Sequence, residues 1–137
     1  QVWSWDITYL AASIRGIFYR LYLVEDIYSR KIVGWEIHEN ETAEHASVLI
    51  RKSCLAEGIR EDGLVLHSDN GSPMKGATML ATLQNLGIVP SLSRPSVSDD
   101  NPSSESLFRT LKYTPAYPAK PFESIEAARQ WVRNRSF

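Results

Sequence analysis

Between residues 17 and 38 two long runs, IFYRLYLVEDIYS and KIVGWEIH, follow one another with only Ser29-Arg30 at the join. Both are rich in aromatic and β-branched residues, which suit a pleated, half-buried surface, so both read as strands. A parallel return would need a crossover of roughly a dozen residues or more, so a join this short folds the second strand back antiparallel to the first. Upstream, WSWDITY (Trp3 to Tyr9) has the same character. The first half of the chain therefore reads as a three-stranded antiparallel meander, with Asp6 in the middle of its first strand. A carboxylate is a poor choice for a core position.

Downstream the period changes. Thr42 can cap AEHASVLIRKSCLAEG, in which Ala46, Leu49, Ile50 and Cys54 recur at helical spacing and Gly58 supplies the stop. GLVLHSDNG reads as a short, buried parallel strand whose polar tip, at Asp69, opens onto a site. A helix over Ala77 to Leu86 ends at Gly87, and IVPSLS reads as another short strand, at an edge or strand end because of Pro90. Residues 94–101 form a polar loop, and Pro102 suits the first turn of a helix running to Lys112. TPAYPAKP breaks that helix, and Ser124 caps a last one, IEAARQWVRNR, whose abrupt stop reads as a cut.

A length of 137 residues with 43% hydrophobic content suits one domain, spanning 1–137. No apolar run of membrane-spanning length and no leader pattern is present, so the expected location is the cytoplasm, with no membrane partner. The single cysteine, Cys54, excludes an intrachain disulfide and a multi-cysteine zinc site, and reads as a buried, inert thiol. A net charge of -1 lacks the basic excess of a freestanding nucleic-acid binder.

Asp6 in a strand, Asp69 at a strand tip and Glu105 near a helix start share one oddity: each is an acid where the local pattern calls for structure rather than solvent. Taken singly, each is explained as well by a surface charge or a helix cap. Together they form a set of hard oxygen donors, and one or two carboxylates with substrate phosphates and waters are the usual way of holding Mg²⁺. Two ions about 3.5–4 Å apart can serve the attacking and leaving oxygens of an in-line phosphoryl transfer. At offsets of four and seven from Glu105, Arg109 and Lys112 lie on its helical stripe, which in isolation is also the spacing of an ordinary surface ion pair.

With 35 residues between Asp69 and Glu105, and with the stretches WSWDITYL, DIYSRKIVGW, HSDNGSPM and DDNPSSESLFRTLK, the chain resembles the catalytic core of bacterial insertion-sequence transposases and retroviral integrases. The resemblance covers essentially the whole chain. It implies a ribonuclease-H-like α/β fold, a mixed five-stranded sheet made of the antiparallel meander plus two parallel strands, flanked by helices. It implies that Asp6, Asp69 and Glu105 are the catalytic metal ligands for two Mg²⁺ or Mn²⁺ ions. It also implies that Asn70, Asn101, Arg109 and Lys112 face DNA. The expected activity is metal-dependent hydrolysis at element ends and transfer of the 3′-hydroxyl to target DNA. The expected partners are the terminal repeats, the target DNA and further copies of the chain, in a bacterial cytoplasm at the nucleoid. By the same resemblance the chain is a core cut at both ends relative to a full transposase.

Two alternatives stand beside this: a ribonuclease-H-like nuclease, and a non-catalytic module for DNA binding or oligomerisation. His67, two residues before Asp69, reads as a hydrogen-bonded structural residue in preference to a ligand, and His38 and His45 lack metal spacing. Ser68 has no histidine-acid context for a nucleophile. Trp3, Trp5 and Trp35 read as core or sheet-face aromatics.

Overall fold

The computed structural model describes residues 1–59, 63–68, 77–92 and 121–134. Strand β1 (Val2–Ala11) organises the rest. Trp3 and Trp5 are fully buried in one core, whereas Leu10 and the following Ala12 lie in a second. Successive strand residues point to opposite faces, so a strand buried on both faces belongs in the middle of a sheet. β2 (Phe18–Asp26) pairs with it antiparallel from Trp3↔Asp26 to Ala11↔Phe18, and β3 (Ile32–His38) pairs antiparallel with β2. The expected meander is therefore present. β2 ends at Asp26 rather than at Ser29 because the Asp26 carboxylate accepts the backbone N–H groups of Tyr28 (2.9 Å) and Ser29 (3.2 Å), which withdraws them from the ladder. Arg30 completes the turn in the left-handed region, at φ 64°.

β4 (Val65–Ser68) lies parallel to β1, and β5 (Val89–Leu92) lies parallel to β4, giving the order β3-β2-β1-β4-β5. This is the mixed five-stranded sheet expected, with Pro90 on the edge strand. Helix α1 (Ala43–Glu57) begins where the Thr42 hydroxyl accepts the His45 N–H at 3.2 Å and stops at Gly58, left-handed at φ 66°. Helix α2 (Ala77–Leu86) follows β4 in the chain. Both helices cover the face of Trp3 and Trp5, where Leu49, Ile50, Met79 and Leu83 close the larger core. Cys54 is buried in this core, and burial pushes its thiol pKa up, so the inert reading of the thiol holds.

Helix α3 (Ile125–Arg133), capped by the Ser124 hydroxyl, covers the other face with Ala128 and Val132 against Leu10, Leu21 and Ile37. Arg129 fixes its position by donating from Nη2 (2.8 Å) and Nε (3.2 Å) to the Ile37 carbonyl. The Trp35 ring packs on this second core, as a sheet-face aromatic. The expected loop 94–101 and the expected helix from Pro102 to Lys112 lie outside the described residues. No helix among the described residues is long and apolar enough to cross a membrane.

Candidate active site

β1 has an antiparallel neighbour on one side and a parallel neighbour on the other. The parallel register is Val2↔Val65, Trp3↔Leu66 and Ser4↔His67, and β4 ends at Ser68. β1 runs on past that level to Ala11 and carries Asp6 two residues beyond Ser4. Open α/β sheets bind ligands just outside the carboxyl ends of their parallel strands, and Asp6 stands at that rim. It is partly buried, and its Oδ1 accepts the Ile7 N–H at 2.8 Å, which fixes one side of the carboxylate. Asp6 is the sequence-predicted site residue that the described residues contain. Asp69, Asn70, Asn101, Glu105, Arg109 and Lys112 lie outside them. Ser68, the residue that precedes Asp69, is buried.

Behind Asp6 the sheet carries a polar row. Glu25 on β2 pairs with Ser4 on β1, Ser4 pairs with His67 on β4, and His67 pairs with Ser91 on β5. Side chains alternate along each strand, so this row shares the Asp6 face. His67 Nδ1 lies 3.1 Å from Ser91 Oγ, in accord with the structural reading of that histidine. Ser4 is fully buried and Glu25 is 2% exposed. Among the described residues Glu25 Oε1 has no hydrogen-bond partner, and Arg30 Nη1 forms a long ion pair with it at 3.9 Å. Burial pushes the Glu25 pKa up, Arg30 opposes the rise and Asp26 adds to it. Glu25 is not among the site residues expected from the sequence. Its signal was present, since Glu25 continues the buried line Leu21, Leu23 at two-residue spacing.

Carboxylate oxygens are the donor type that Mg²⁺ and Mn²⁺ take. Asp6 at the rim is of that type. Among the described residues no three histidine, cysteine, aspartate or glutamate side chains gather as a cage, so these residues offer one rim ligand, Asp6. A cleft between α1 and the edge strand β3, lined by Ile32, Gly34, Leu49 and Lys52 among others, is two strands away from β1 and converges no set of acids.

The profile of the integrase core domain family matches residues 1–98. The transposase for insertion sequence element IS904 of Lactococcus lactis is 33% identical over 112 residues, which are 82% of this chain and 43% of that protein. Transposase InsF for insertion sequence IS3A of Escherichia coli is 32% identical over 112 residues, 82% of this chain and 38% of that protein. The chain thus spans about two fifths of the length of these relatives. Among solved structures, the Mos1 transposase catalytic domain with raltegravir and Mg superposes with a TM-score of 0.76 at 17% identity, over 96% of this chain and 68% of that one. The Mos1 paired-end complex with the left transposon end gives 0.72 at 15% identity, over 96% of this chain and 46% of that one. At these identities the likeness shows the fold, which is that of the ribonuclease-H-like integrase and transposase cores. Matched by its profile over residues 1–98 and by relatives a third identical along 82% of its length, the chain belongs to the integrase core domain family.

Proposed function

We propose that this chain is the catalytic core of an insertion-sequence transposase, a polynucleotidyl transferase that hydrolyses a phosphodiester at the end of an element and joins the freed 3′-hydroxyl to target DNA. The observation that carries the proposal is the strand register. Ser4 pairs in parallel with His67, β4 ends at Ser68, and Asp6 stands on β1 two residues beyond Ser4, at the carboxyl rim of the parallel pair. Family membership and the insertion-sequence relatives favour the transposase over a nuclease or a non-catalytic module.

In this proposal Asp6, Asp69 and Glu105 would hold two Mg²⁺ or Mn²⁺ ions, a group that supplies charge neutralisation for in-line phosphoryl transfer when bound. The Ile7 N–H holds Asp6 in one orientation. Lys112 and Arg109 would bind phosphates of the DNA end, and Asn101 and Asn70 would contact that end beside them. The Mos1 structures, one with Mg and one with a transposon end, support the cofactor class and the DNA partner. Element ends and target DNA are the substrates, two ends require more than one copy of the chain, and the work is done in the bacterial cytoplasm at the nucleoid. The net charge of -1 suits a core whose acids serve a cation site.

Asp6→Asn, placed in the transposase that contains this core, tests the assignment. It keeps size and removes the charge. Losing an outer partner of a metal ligand typically costs about 10–100-fold, so losing a direct ligand lowers joining of a labelled end to plasmid DNA by at least about 100-fold. Thermal melting of the metal-free protein stays near the parent's. A folded Asp6→Asn protein that joins ends at the parental rate would sink the assignment.

A further inference from the structure

The aromatic stripe of β1 runs on past the helices that cover it. Trp3 and Trp5 are fully buried beneath α1 and α2, and Tyr9 follows on the same face, where it is 47% exposed. Across the β1–β2 pair Tyr9 is opposite Arg20, and Phe18, opposite Ala11, is 42% exposed. The ring centroids of Tyr9 and Phe18 are 6.2 Å apart. One step back along the face, opposite Ile7, Tyr22 is still fully buried, so the cover ends between Tyr22 and Tyr9. Single exposed apolar side chains are ordinary on a protein surface, whereas rings in contact with one another form a patch that calls for a partner.

These rings are fixed in place. The Tyr9 hydroxyl donates to Glu41 Oε1 at 3.0 Å. The Arg20 guanidinium lies over the Tyr9 ring, 5.4 Å from its centroid, and its Nη1 donates to the carbonyls of Phe18 (2.7 Å) and Glu39 (2.8 Å), while its Nε is buried. Arg20 is thus committed to the fold and offers little to a phosphate, which the exposed Glu39 and Glu41 also repel. What the patch presents is pre-organised aromatic area. Its position gives the ligand class. Ser4 is the last β1 residue paired with β4, and Asp6 and Tyr9 stand two and five residues beyond it, past the carboxyl end of the parallel neighbour. Asp6 and Tyr9 take opposite sides of the strand, yet they share one electrostatic neighbourhood: the Tyr9 pKa is raised first by the hydrogen bond to Glu41, and the charge of Asp6 adds to the rise.

We propose that Tyr9, with Phe18 beside it, is a stacking platform for an unpaired base of the DNA on which the proposed activity acts. The inference rests on that DNA substrate. Inside a duplex both faces of a base are taken by its neighbours, so only a terminal or splayed-out base has a face to offer the ring. Every base has a π face, which makes the contact tolerant of sequence, and alanine substitution at such platforms costs the equivalent of about 5–150-fold in affinity. Tyr9 is a positioning residue: it holds a nucleotide beside the rim that carries Asp6 and does not touch the reacting phosphate. A purely structural Tyr9, which only ties Glu41 to the sheet, would act through its hydroxyl, whereas the platform acts through its ring.

Fluorescence anisotropy with the transposase that contains this core tests the platform on three labelled element ends: a blunt duplex, the same duplex with a short unpaired extension of thymidines, and the same extension built of abasic sites. The parent should bind the thymidine extension more tightly than the other two ends. Tyr9→Ala should lose about 5–150-fold on that end and stay near the parent on the blunt and abasic ones, while Tyr9→Phe, which keeps the ring, should bind all three like the parent. Equal losses on all three ends, or a Tyr9→Phe protein as weak as Tyr9→Ala, would reject the platform in favour of a structural hydroxyl. A parent that binds thymidine and abasic extensions alike overturns the base contact and leaves the DNA substrate standing, whereas a parent that binds none of the ends removes the proposed function itself. Should Tyr9→Ala not fold, Tyr9→Leu decides by the same titration. It keeps apolar bulk without a π face, and parental affinity for the thymidine extension in it overturns the proposal.

Discussion

Gly34→Ala probes how closely α1 is pressed onto the sheet. A Cβ at Gly34 would lie 2.1 Å from Ser53 Oγ, 3.1 Å from Leu49 Cδ1 and 3.4 Å from Ser53 Cβ. The first distance is far inside contact, so the hydroxyl must turn away. Ser53 is 2% exposed, and its Oγ donates to the Leu49 carbonyl at 2.8 Å, so turning it breaks a buried hydrogen bond. Overpacking costs about 1–3 kcal/mol and the lost bond about 1 kcal/mol, offset in part by the roughly 0.5–1 kcal/mol that alanine gains over glycine in a strand. The net expectation is a loss of about 1–3 kcal/mol, or a melting temperature lower by roughly 4–12 °C for a domain of this size. Ser53→Ala removes the offending oxygen and leaves only the ordinary 3.4 Å contact between Cβ atoms, with Leu49 needing a shift of tenths of an ångström. A double-mutant cycle read by urea unfolding should therefore show favourable coupling of about 1–2 kcal/mol between the two substitutions. Strictly additive costs, or a Gly34→Ala chain that melts with the parent, would refute this account of the contact.

Two further outcomes are expected. His45 stacks on His38 with ring centroids 3.6 Å apart, and its pKa is lowered from 6.5, first by burial and then by His38, against the opposing pull of Glu36 and Glu44. The unfolded chain therefore binds a proton at His45 more readily than the folded chain, so stability is full above pH 6.5 and falls as acidification proceeds toward the folded pKa. Melting temperatures between pH 7.5 and 5.5 should fall less steeply for His45→Asn than for the parent, and parallel slopes would count against it. Lys112→Ala, in a full transposase, should weaken DNA-end binding and reduce its log-log salt slope by about one unit while Mn²⁺ affinity stays unchanged, and superimposable salt plots would reject a phosphate contact.

Local physics was enough for much of this fold. The Ser29-Arg30 join is too short for a crossover, so the antiparallel meander follows from spacing alone. Thr42, Gly58 and Ser124 mark helix ends through bonds and backbone angles that reach only a few residues along the chain, and all three act as expected. Asp6 was legible as a carboxylate misfit in a strand and stands at the sheet rim, while the other six predicted site residues lie outside the described residues. Tertiary structure decided what depends on partners distant in sequence. The central place of β1 and its offset from β4, Val2↔Val65, belong to a pairing between segments about sixty residues apart, which no local propensity encodes. The same holds for Gly34, whose missing side chain makes room for Ser53, and for Arg129, which binds the carbonyl of Ile37. Glu25 is the clearest case. Its neighbour Asp26 spends its carboxylate on the following turn, a local matter, but the burial of Glu25 and its diagonal relation to Asp6 arise only when β2 closes on β1. Sequence spacing decides which face a strand residue takes relative to its own neighbours, and only packing decides what lies opposite that face.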